Sequence, residues 1–187
     1  MITWSETRAR MREDRERIAR VLTESEGSAP RFLWMHPCYQ CAVLHRLSHY
    51  CFRHGHPFAA RFIWHLNLFL TGGDISMLSD IGGGFVALHP SAVTMVGTTG
   101  RNCTVIGPGG IGGGTPRIDD IGAGPGLPVL GDGVTLAPGS LVVGPIRVGH
   151  DVFVGAGAVV SRDIADGASL APGWHPSSAR PGELANA

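Results

Sequence analysis

Cysteine and histidine are the residue types in this chain that could bind a metal ion, and several of them lie close together near the amino terminus. Cys38 and Cys41 have the spacing of many zinc sites, but a zinc ion would need two further ligands at suitable spacing. His36, His45 and His49 are near enough in the sequence to supply them. This stretch has the pattern of a helix, however, and we interpret the cysteines as structural thiols of a protein kept reduced in the cytoplasm.

The elements that would position reactive side chains are indicated by a six-residue period. This is neither the period of a helix nor that of a strand, and small residues often follow the repeated position. It is the signature of a hexapeptide β-helix, in which three hexads form one triangular coil and equivalent side chains stack. The repeated positions are Ile75, Ile81, Ala87, Val93, Thr99, Val105, Ile111, Leu130, Leu136, Val142, Val148, Val154 and Val160. The chain is therefore predicted to be mainly β.

Changes in composition divide the chain into three parts. We predict an α-helical region over residues 1–72, a β-helix over 73–173 and a loose tail over 174–187. The hexads are interrupted at about 112–129 by a glycine-rich stretch, which is typical of a mobile flap. A functional site is therefore expected under this loop.

The helical region contains two kinds of helix. Ser5 to Glu26 is rich in arginine and glutamate and is predicted to be a solvent-exposed helix. From Pro37 to Leu70 apolar residues recur at helical spacing, with a break at 55–57, and we predict two amphipathic helices. The second is too short, and too often interrupted by polar residues, to span a membrane. We expect it to pack against the β-helix or another subunit.

The charge of the chain limits the partners that it can bind. Its 15 basic residues are balanced by 15 acidic residues, which gives a formal net charge of zero. No cluster of basic residues lies beside aromatic residues in a binding arrangement, so we exclude nucleic acid as a partner. The first residues contain no apolar run of signal-peptide length, and we expect a cytoplasmic protein.

Several motifs together resemble one family of enzymes. The motifs are His36–Gln40 and Leu44–His49 in the helical region, Leu70–Ile75 at its end, and Leu130–Val134 and Val154–Val160 in the hexads. From about His36 to Gly173 the chain resembles the serine O-acetyltransferase branch of the hexapeptide-repeat acyltransferases. The resemblance implies a left-handed parallel β-helix with an N-terminal α-helical segment. It also implies an enzyme that transfers an acetyl or other acyl group from CoA to a hydroxyl.

The resemblance further implies that His89 is the general base of this reaction and that Asp74 holds its imidazole. A hydroxyl is too weak an acid to attack a thioester at neutral pH, and a positioned imidazole can take its proton as the bond forms. A carboxylate behind the ring steadies the imidazolium. Without the resemblance, His89 before Pro90 has the pattern of a histidine in a surface turn.

The chain departs from the family where an amino-acid substrate would bind. Leu88 stands where the family has an aspartate that holds the substrate ammonium. Leu127 lies in the segment that aligns with the family's Arg-His-Pro segment, which engages the substrate carboxylate. Burying either charge without a partner is costly, although Arg117 in the glycine-rich loop could supply a replacement contact. We therefore predict a small-molecule hydroxyl acceptor other than free serine.

The resemblance also implies a site for acetyl-CoA, or another acyl-CoA, in the groove between adjacent β-helices of a homotrimer. The matching residues are Gly113, Gly114, Pro138, Ala156 and Ala158 along the pantetheine arm and Arg162 at a phosphate. The short helical region favours a trimer over a dimer of trimers. The chemistry needs no metal ion. The γ-class carbonic anhydrases share the fold but bind zinc through three histidines, whereas the hexads here contain only His89 and His150.

Two other hypotheses stay open beside transfer to a sugar, a glycan precursor or a natural-product intermediate. One is an authentic serine acetyltransferase of cysteine biosynthesis with a rebuilt pocket. The other is a non-catalytic binding or assembly protein, against which the presence of both Asp74 and His89 argues. The family's tail that docks into cysteine synthase ends in isoleucine, whereas this chain ends at Ala187, and we expect no docking.

Overall fold

The computed structural model describes residues 2–27 and 31–176, and in it three α-helices precede a β-helix. The helices are α1 (Trp4–Glu26), α2 (Pro37–Arg53) and α3 (Pro57–Thr71), with a 3-10 turn at Leu33–Met35. Proline opens α2 and α3, at a position where the missing N–H breaks no helical hydrogen bond. The two predicted amphipathic helices are therefore present. No helix in the described ranges is long and apolar enough to cross a membrane.

Fourteen short strands follow in the described part of the chain, and their pairings are parallel. They are β1 (Asp74–Ile75), β2 (Asp80–Ile81), β3 (Val86–Leu88), β4 (Val93–Met95), β5 (Thr98–Thr99), β6 (Thr104–Ile106), β7 (Gly109–Gly112), β8 (Val129–Leu130), β9 (Thr135–Leu136), β10 (Leu141–Val143), β11 (Arg147–Val148), β12 (Phe153–Val154), β13 (Val159–Val160) and β14 (Ser169–Leu170). Sheet 1 has the order β1-β4-β7-β10-β13, sheet 2 the order β2-β5-β8-β11, and sheet 3 the order β3-β6-β9-β12-β14. Because successive strands pass from sheet to sheet, the chain winds in triangular coils. The predicted parallel β-helix behind a helical segment is confirmed.

The interior of the β-helix is built from the residues of the six-residue period. In sheet 2, Ile81 lies beside Thr99 and Thr99 lies beside Leu130, and all three are buried. Thr99 is the one polar residue among the repeated positions. Its hydroxyl donates to the carbonyl oxygen of Gly100 at 3.2 Å, so its buried polar group is satisfied. The stacking of equivalent positions is as the period predicted.

The glycine-rich insertion joins sheet 1 to sheet 2. Strand β7 ends at Gly112 and β8 begins at Val129. Arg147 Nη2 donates to the carbonyl oxygen of Ile121, in the middle of the loop, at 2.7 Å. The loop is thus fastened to the β-helix at the corner after sheet 1. The last eleven residues of the predicted tail, and with them the expectation about docking, lie outside the described residues.

Helix α1 is not the solvent-exposed helix that its composition predicted. Ile18 and Leu22 are buried and join the core at the first coil. Asp14 lies one turn before Ile18 on the same face and is also buried. The prediction was wrong because it treated every charged residue as a surface residue, whereas Asp14 is paired inside the protein.

A buried ion pair fastens α1 and α2 to the first coil. Arg46 Nε donates to Asp14 Oδ2 at 2.8 Å, and Arg46 Nη2 donates to Asp14 Oδ1 at 3.0 Å. Arg46 also donates to the carbonyl oxygens of Ile81 and Gly82, the latter at 2.7 Å. The backbone N–H of Phe85 donates to Asp14 Oδ1 at 2.8 Å. Because every charge here has several partners, the network holds the helices and the coil together.

The cysteines and histidines near the amino terminus lie along helix α2, with His36 directly before its first residue. Within residues 2–27 and 31–176, no group of three or more histidine, cysteine, aspartate or glutamate side chains is arranged to hold a metal ion. Cys41 is buried, and burial raises the pKa of its thiol to about 12. The thiol is therefore protonated at neutral pH, which fits a structural role.

His45 is buried on α2, and neither of its ring nitrogens has a hydrogen-bond partner among the described residues. Burial lowers the pKa of His45 well below its usual 6.5, and the nearby Arg46 and His49 lower it further. Below pH 6.5 the unfolded chain therefore takes up a proton at His45 that the folded chain does not. The stability contributed by this neutral imidazole is complete above that pH and is lost as the pH falls.

We expect His45→Phe to reduce the loss of stability in acid, because the phenyl ring takes up no proton. In the wild type, His45 should lower the free energy of unfolding by up to about 1.4 kcal/mol per pH unit below its unfolded pKa. Urea unfolding at a series of pH values from neutral to mildly acidic measures the difference. The exposed His56 provides the control, since His56→Gln should keep the wild-type profile. Equal pH profiles for His45→Phe and the wild type would contradict the prediction.

Candidate active site

His89 lies at the corner between sheets 3 and 1, where β3 ends and the chain turns into β4. Its side chain is exposed, and its φ of 54° lies in the left-handed region that residues other than glycine rarely adopt. The N–H of Gly107 donates to the carbonyl oxygen of Leu88 at 2.8 Å. The N–H of Gly109 donates to the carbonyl oxygen of Ala92 at 3.2 Å. The next coil thus fixes the turn at both ends and holds His89 at the surface.

The same corner rests on the segment that leads into Asp74. A Cβ atom on Gly73 would lie 3.3 Å from the carbonyl oxygen of Pro90 and 2.9 Å from Sγ of Cys41. Only glycine fits there without a shift of its neighbours. The residue before Asp74 therefore lies against the residue after His89.

The Asp74 carboxylate accepts a hydrogen bond from an indole. Trp64 Nε1 donates to Asp74 Oδ1 at 2.9 Å, and both residues are half-buried. No hydrogen bond joins the side chains of Asp74 and His89 in the part of the chain that the structure describes. Trp64 was not among the predicted site residues. The signal that could have indicated it is a tryptophan on the predicted helix that leads directly into Asp74.

The residues predicted to bind the acyl donor are divided between two edges of sheet 1. Pro138 and Ala156 are exposed at the corner between sheets 3 and 1, on the same edge as His89. Ala158 follows this corner, but its side chain is fully buried and its N–H donates to Gly155 at 3.1 Å. The methyl group of Ala158 faces the core, so we leave it out of the proposed donor site.

Gly113, Gly114 and Arg162 lie at the opposite edge, the corner between sheets 1 and 2. The two glycines follow β7 and Arg162 follows β13, both of which are strands of sheet 1. The width of sheet 1 separates this corner from His89. A single chain therefore does not bring all of the predicted site residues together.

A cavity of about 450 Å³ opens at this second corner, beside the glycine-rich loop. Its lining consists of Arg117, Ile121, Pro145, Arg147, Arg162 and Asp163. Nη2 of Arg162 is buried and has no hydrogen-bond partner among the described residues, and its guanidinium carbon lies 4.8 Å from the centre of the Trp174 ring. Three arginine side chains and one aspartate line the cavity, and Arg117 is paired with Asp119 at 3.3 Å, so one positive charge remains in excess. Such a lining fits a phosphate.

The sequence is similar to enzymes of one family over most of its length. No protein-family model matches the chain. The serine acetyltransferase of Helicobacter pylori is 32% identical over 156 residues, which are 81% of this chain and 88% of that enzyme. The chain belongs to the serine acetyltransferase family. The serine acetyltransferase of Synechococcus elongatus is likewise 32% identical, over 150 residues, which are 78% of this chain and 59% of that enzyme.

Solved structures of serine acetyltransferases have the same fold. Soybean serine acetyltransferase complexed with serine superposes with a TM-score of 0.78 at 24% identity, over 89% of this chain and 67% of the soybean chain. Isoform 3 from Entamoeba histolytica, in complex with cysteine, gives a TM-score of 0.73 at 22% identity, over 94% of this chain and 62% of that one. The chain thus spans about three fifths of the length of some family members and most of the Helicobacter enzyme.

The predicted acceptor residues of this family member are apolar or already paired. Leu88 is half-buried and directly precedes His89. Leu127 is half-buried in the glycine-rich loop. Arg117 is exposed, and its Nε lies 3.3 Å from Asp119 Oδ2, so its charge is paired within the loop. None of the three offers an unpaired charge to a zwitterionic substrate.

Proposed function

We propose that this chain is a CoA-dependent O-acetyltransferase that uses His89 as its general base. Membership of the serine acetyltransferase family supports acetyl transfer to a hydroxyl. The observation that carries the mechanism is the position of His89, exposed on a fixed corner that packs against the segment leading into Asp74. The exposed imidazole is open to a hydroxyl acceptor, and in the proposed site the Asp74 carboxylate supports it.

In the proposed reaction, His89 accepts the proton of the acceptor hydroxyl while the hydroxyl oxygen attacks the thioester carbon. The carbon–sulfur bond then breaks, and the imidazolium returns the proton to the leaving thiolate. Asp74 stabilises the imidazolium between these two steps. The products are an O-acetyl ester and CoA, and His89 is neutral again.

The assembly that would complete the site is a homotrimer. His89 and Pro138 lie on one edge of sheet 1, and Gly113 and Arg162 lie on the other. A second copy that sets its second edge beside the first edge would complete the site, and three-fold closure would give three equal sites. Helix α3 offers apolar surface for such contacts, since Phe58, Phe62 and Phe69 are 90%, 69% and 85% exposed.

The acceptor is a small molecule that carries a hydroxyl group other than that of free serine. Leu88 cannot pair with an ammonium group, and Leu127 cannot pair with a carboxylate. Arg117 already forms an ion pair with Asp119 in its own loop. A sugar, a glycan precursor or a natural-product intermediate needs neither of these charged partners. The reduced thiols fit a cytoplasmic location. The second candidate is serine itself, which the names of the relatives and the soybean complex with serine support.

Transfer of label from radioactive acetyl-CoA tests this function. The acceptors offered would be L-serine, a monosaccharide, an aliphatic alcohol and water alone, each with the wild type and with His89→Ala. We expect a labelled ester that depends on His89 and forms on an acceptor other than serine. Calorimetric binding of acetyl-CoA without any transfer would instead support the non-catalytic hypothesis.

The basic cavity is the proposed site of the donor's phosphates, with Arg162 as a direct contact. We expect Arg162→Ala to raise the KM for acetyl-CoA by about 10- to 100-fold, because it removes a charge-assisted hydrogen bond. The kcat at saturating donor should change little. The measurement is initial-rate kinetics with acetyl-CoA as the varied substrate.

A truncated donor provides the control for Arg162. S-acetylpantetheine has no phosphate, so Arg162→Ala should leave its kcat/KM at the wild-type value. Arg53→Ala, which removes an exposed arginine from the end of α2, should leave both donors unaffected. Equal losses with the two donors would place Arg162 in a structural role and contradict the assignment.

A further inference from the structure

Helix α3 carries a residue that bonds directly to the proposed catalytic carboxylate. Trp64 Nε1 donates to Asp74 Oδ1 at 2.9 Å. An indole has one hydrogen-bond donor, and here that donor is used on a carboxylate of the proposed site rather than on solvent. The bond engages Oδ1 of Asp74 and does not involve Oδ2.

The part of α3 around Trp64 is held firmly to its neighbour α2. Asn67 is fully buried and its Nδ2 donates to the carbonyl oxygen of Cys41 at 3.0 Å. Thr71 Oγ1 donates to Asn67 Oδ1 at 2.9 Å and accepts from the N–H of Gly73 at 3.2 Å. Trp64, Asn67 and Thr71 are spaced to lie on one face of the helix. The indole therefore projects from a rigid support.

The same support also reaches the turn that carries His89. Gly72 caps helix α3, and its carbonyl oxygen accepts from the N–H of Ala92 at 3.0 Å. A Cβ atom on Gly72 would lie 3.1 Å from Cα and Oγ of Ser91. The end of α3 is thus fixed to the His89 turn through backbone contacts, and to Asp74 through the indole.

We propose that Trp64 is a positioning residue for the Asp74 carboxylate, and this inference rests on the proposed function of His89 and Asp74. By holding Oδ1, the indole limits rotation of the carboxylate, so that Oδ2 is available to the imidazole when the proton is transferred. A packing role alone would use the ring of Trp64 but not its N–H. The two roles therefore differ in what removal of the N–H does.

Trp64→Phe tests the role of the N–H, because phenylalanine retains an aromatic ring and has no donor. We expect kcat for acetyl transfer to fall by about 10- to 100-fold, the effect of losing a hydrogen bond to a charged group. The KM for acetyl-CoA should not change. The assay is thiol release from acetyl-CoA with the best acceptor of the panel described above. Trp34→Phe, at a tryptophan that is 64% exposed, is the control and should keep wild-type kinetics.

A double-mutant cycle separates positioning from packing. If Trp64 acts through the carboxylate, Trp64→Phe should have no further effect on kcat once Asp74→Asn is present. A full additional loss in the Asp74→Asn background, or an unchanged kcat for Trp64→Phe alone, would overturn the inference. Unchanged rates in both His89→Ala and Asp74→Asn would instead refute the proposed function, so the two failures are distinguishable.

A second substitution keeps the test valid if Trp64→Phe disturbs folding. Benzothienylalanine at position 64 replaces the indole N–H by sulfur and keeps the size and shape of the side chain. Its melting temperature should match that of the wild type, while kcat falls as in Trp64→Phe. Wild-type kcat with this residue would show that the N–H has no part in catalysis.

Discussion

His89→Ala should lower the rate of acetyl transfer by about 10²- to 10⁴-fold, the range expected for removal of a general base. The imidazole is exposed on a surface corner, so its loss should leave the fold and the binding of acetyl-CoA intact. Steady-state thiol release measures the rate, and calorimetry measures the affinity for acetyl-CoA.

The second histidine of the hexads provides the control for His89. His150 is exposed at another corner, where its Nδ1 accepts from the N–H of Asp132 at 3.0 Å. We expect His150→Ala to retain wild-type kcat. A wild-type rate in His89→Ala would show that another group accepts the proton, and the mechanism would then be wrong.

Asp14→Asn should lower the free energy of unfolding by about 3–5 kcal/mol, because it leaves the buried Arg46 without its counter-charge. The side chains of Asp14 and Arg46 are 0% and 3% exposed, so water cannot replace the lost carboxylate. The measurement is urea unfolding at one fixed protein concentration, since subunit association would add to the apparent stability.

An exposed ion pair provides the comparison for Asp14. Arg117 and Asp119 are 60% and 64% exposed at their side chains, and Asp119→Asn should change stability by less than about 0.5 kcal/mol. If Asp14→Asn were no more destabilising than Asp119→Asn, the buried pair would not hold the helices to the first coil.

The β-helix could be predicted from the sequence because its period is local and repeats. Many interior positions, such as Ile81 and Leu130, are followed by a glycine at a corner, and the parallel pairing repeats from coil to coil. Thr99 broke the apolar pattern without breaking the fold, because its hydroxyl bonds to the adjacent Gly100 carbonyl. A repeated pattern tolerates one exception of this kind.

The packing of the helices could not be predicted in the same way. Asp14 looked like a surface residue because its partner Arg46 lies 32 positions away, on another helix. The Trp64–Asp74 bond was missed for a related reason, since it depends on how α3 ends and how the chain turns at Gly72. No local pattern encodes the Asp14–Arg46 contact, and the local signal of the Trp64–Asp74 bond is limited to a tryptophan on the helix that leads into Asp74.

The sequence alone also could not predict that the site residues are divided between two corners. His89 and Arg162 were both predicted as site residues, but the sequence does not say that they lie on opposite edges of one sheet. Ala158 shows the same limit on a smaller scale, because neighbouring residues of a coil alternate between surface and core. Ala158 was predicted as a donor contact because the sequence does not show which of these two environments its side chain occupies.

The most direct test of the proposed function is to measure which acceptor the wild-type protein acetylates. Radioactive acetyl-CoA would be incubated with L-serine and, separately, with the monosaccharide and the aliphatic alcohol, and the labelled ester would be measured against His89→Ala. We expect His89-dependent acetylation of a hydroxyl compound other than serine and little or none of serine. Rapid His89-dependent acetylation of L-serine would show that Leu88 and Leu127 do not exclude serine, and it would identify the chain as an ordinary serine acetyltransferase.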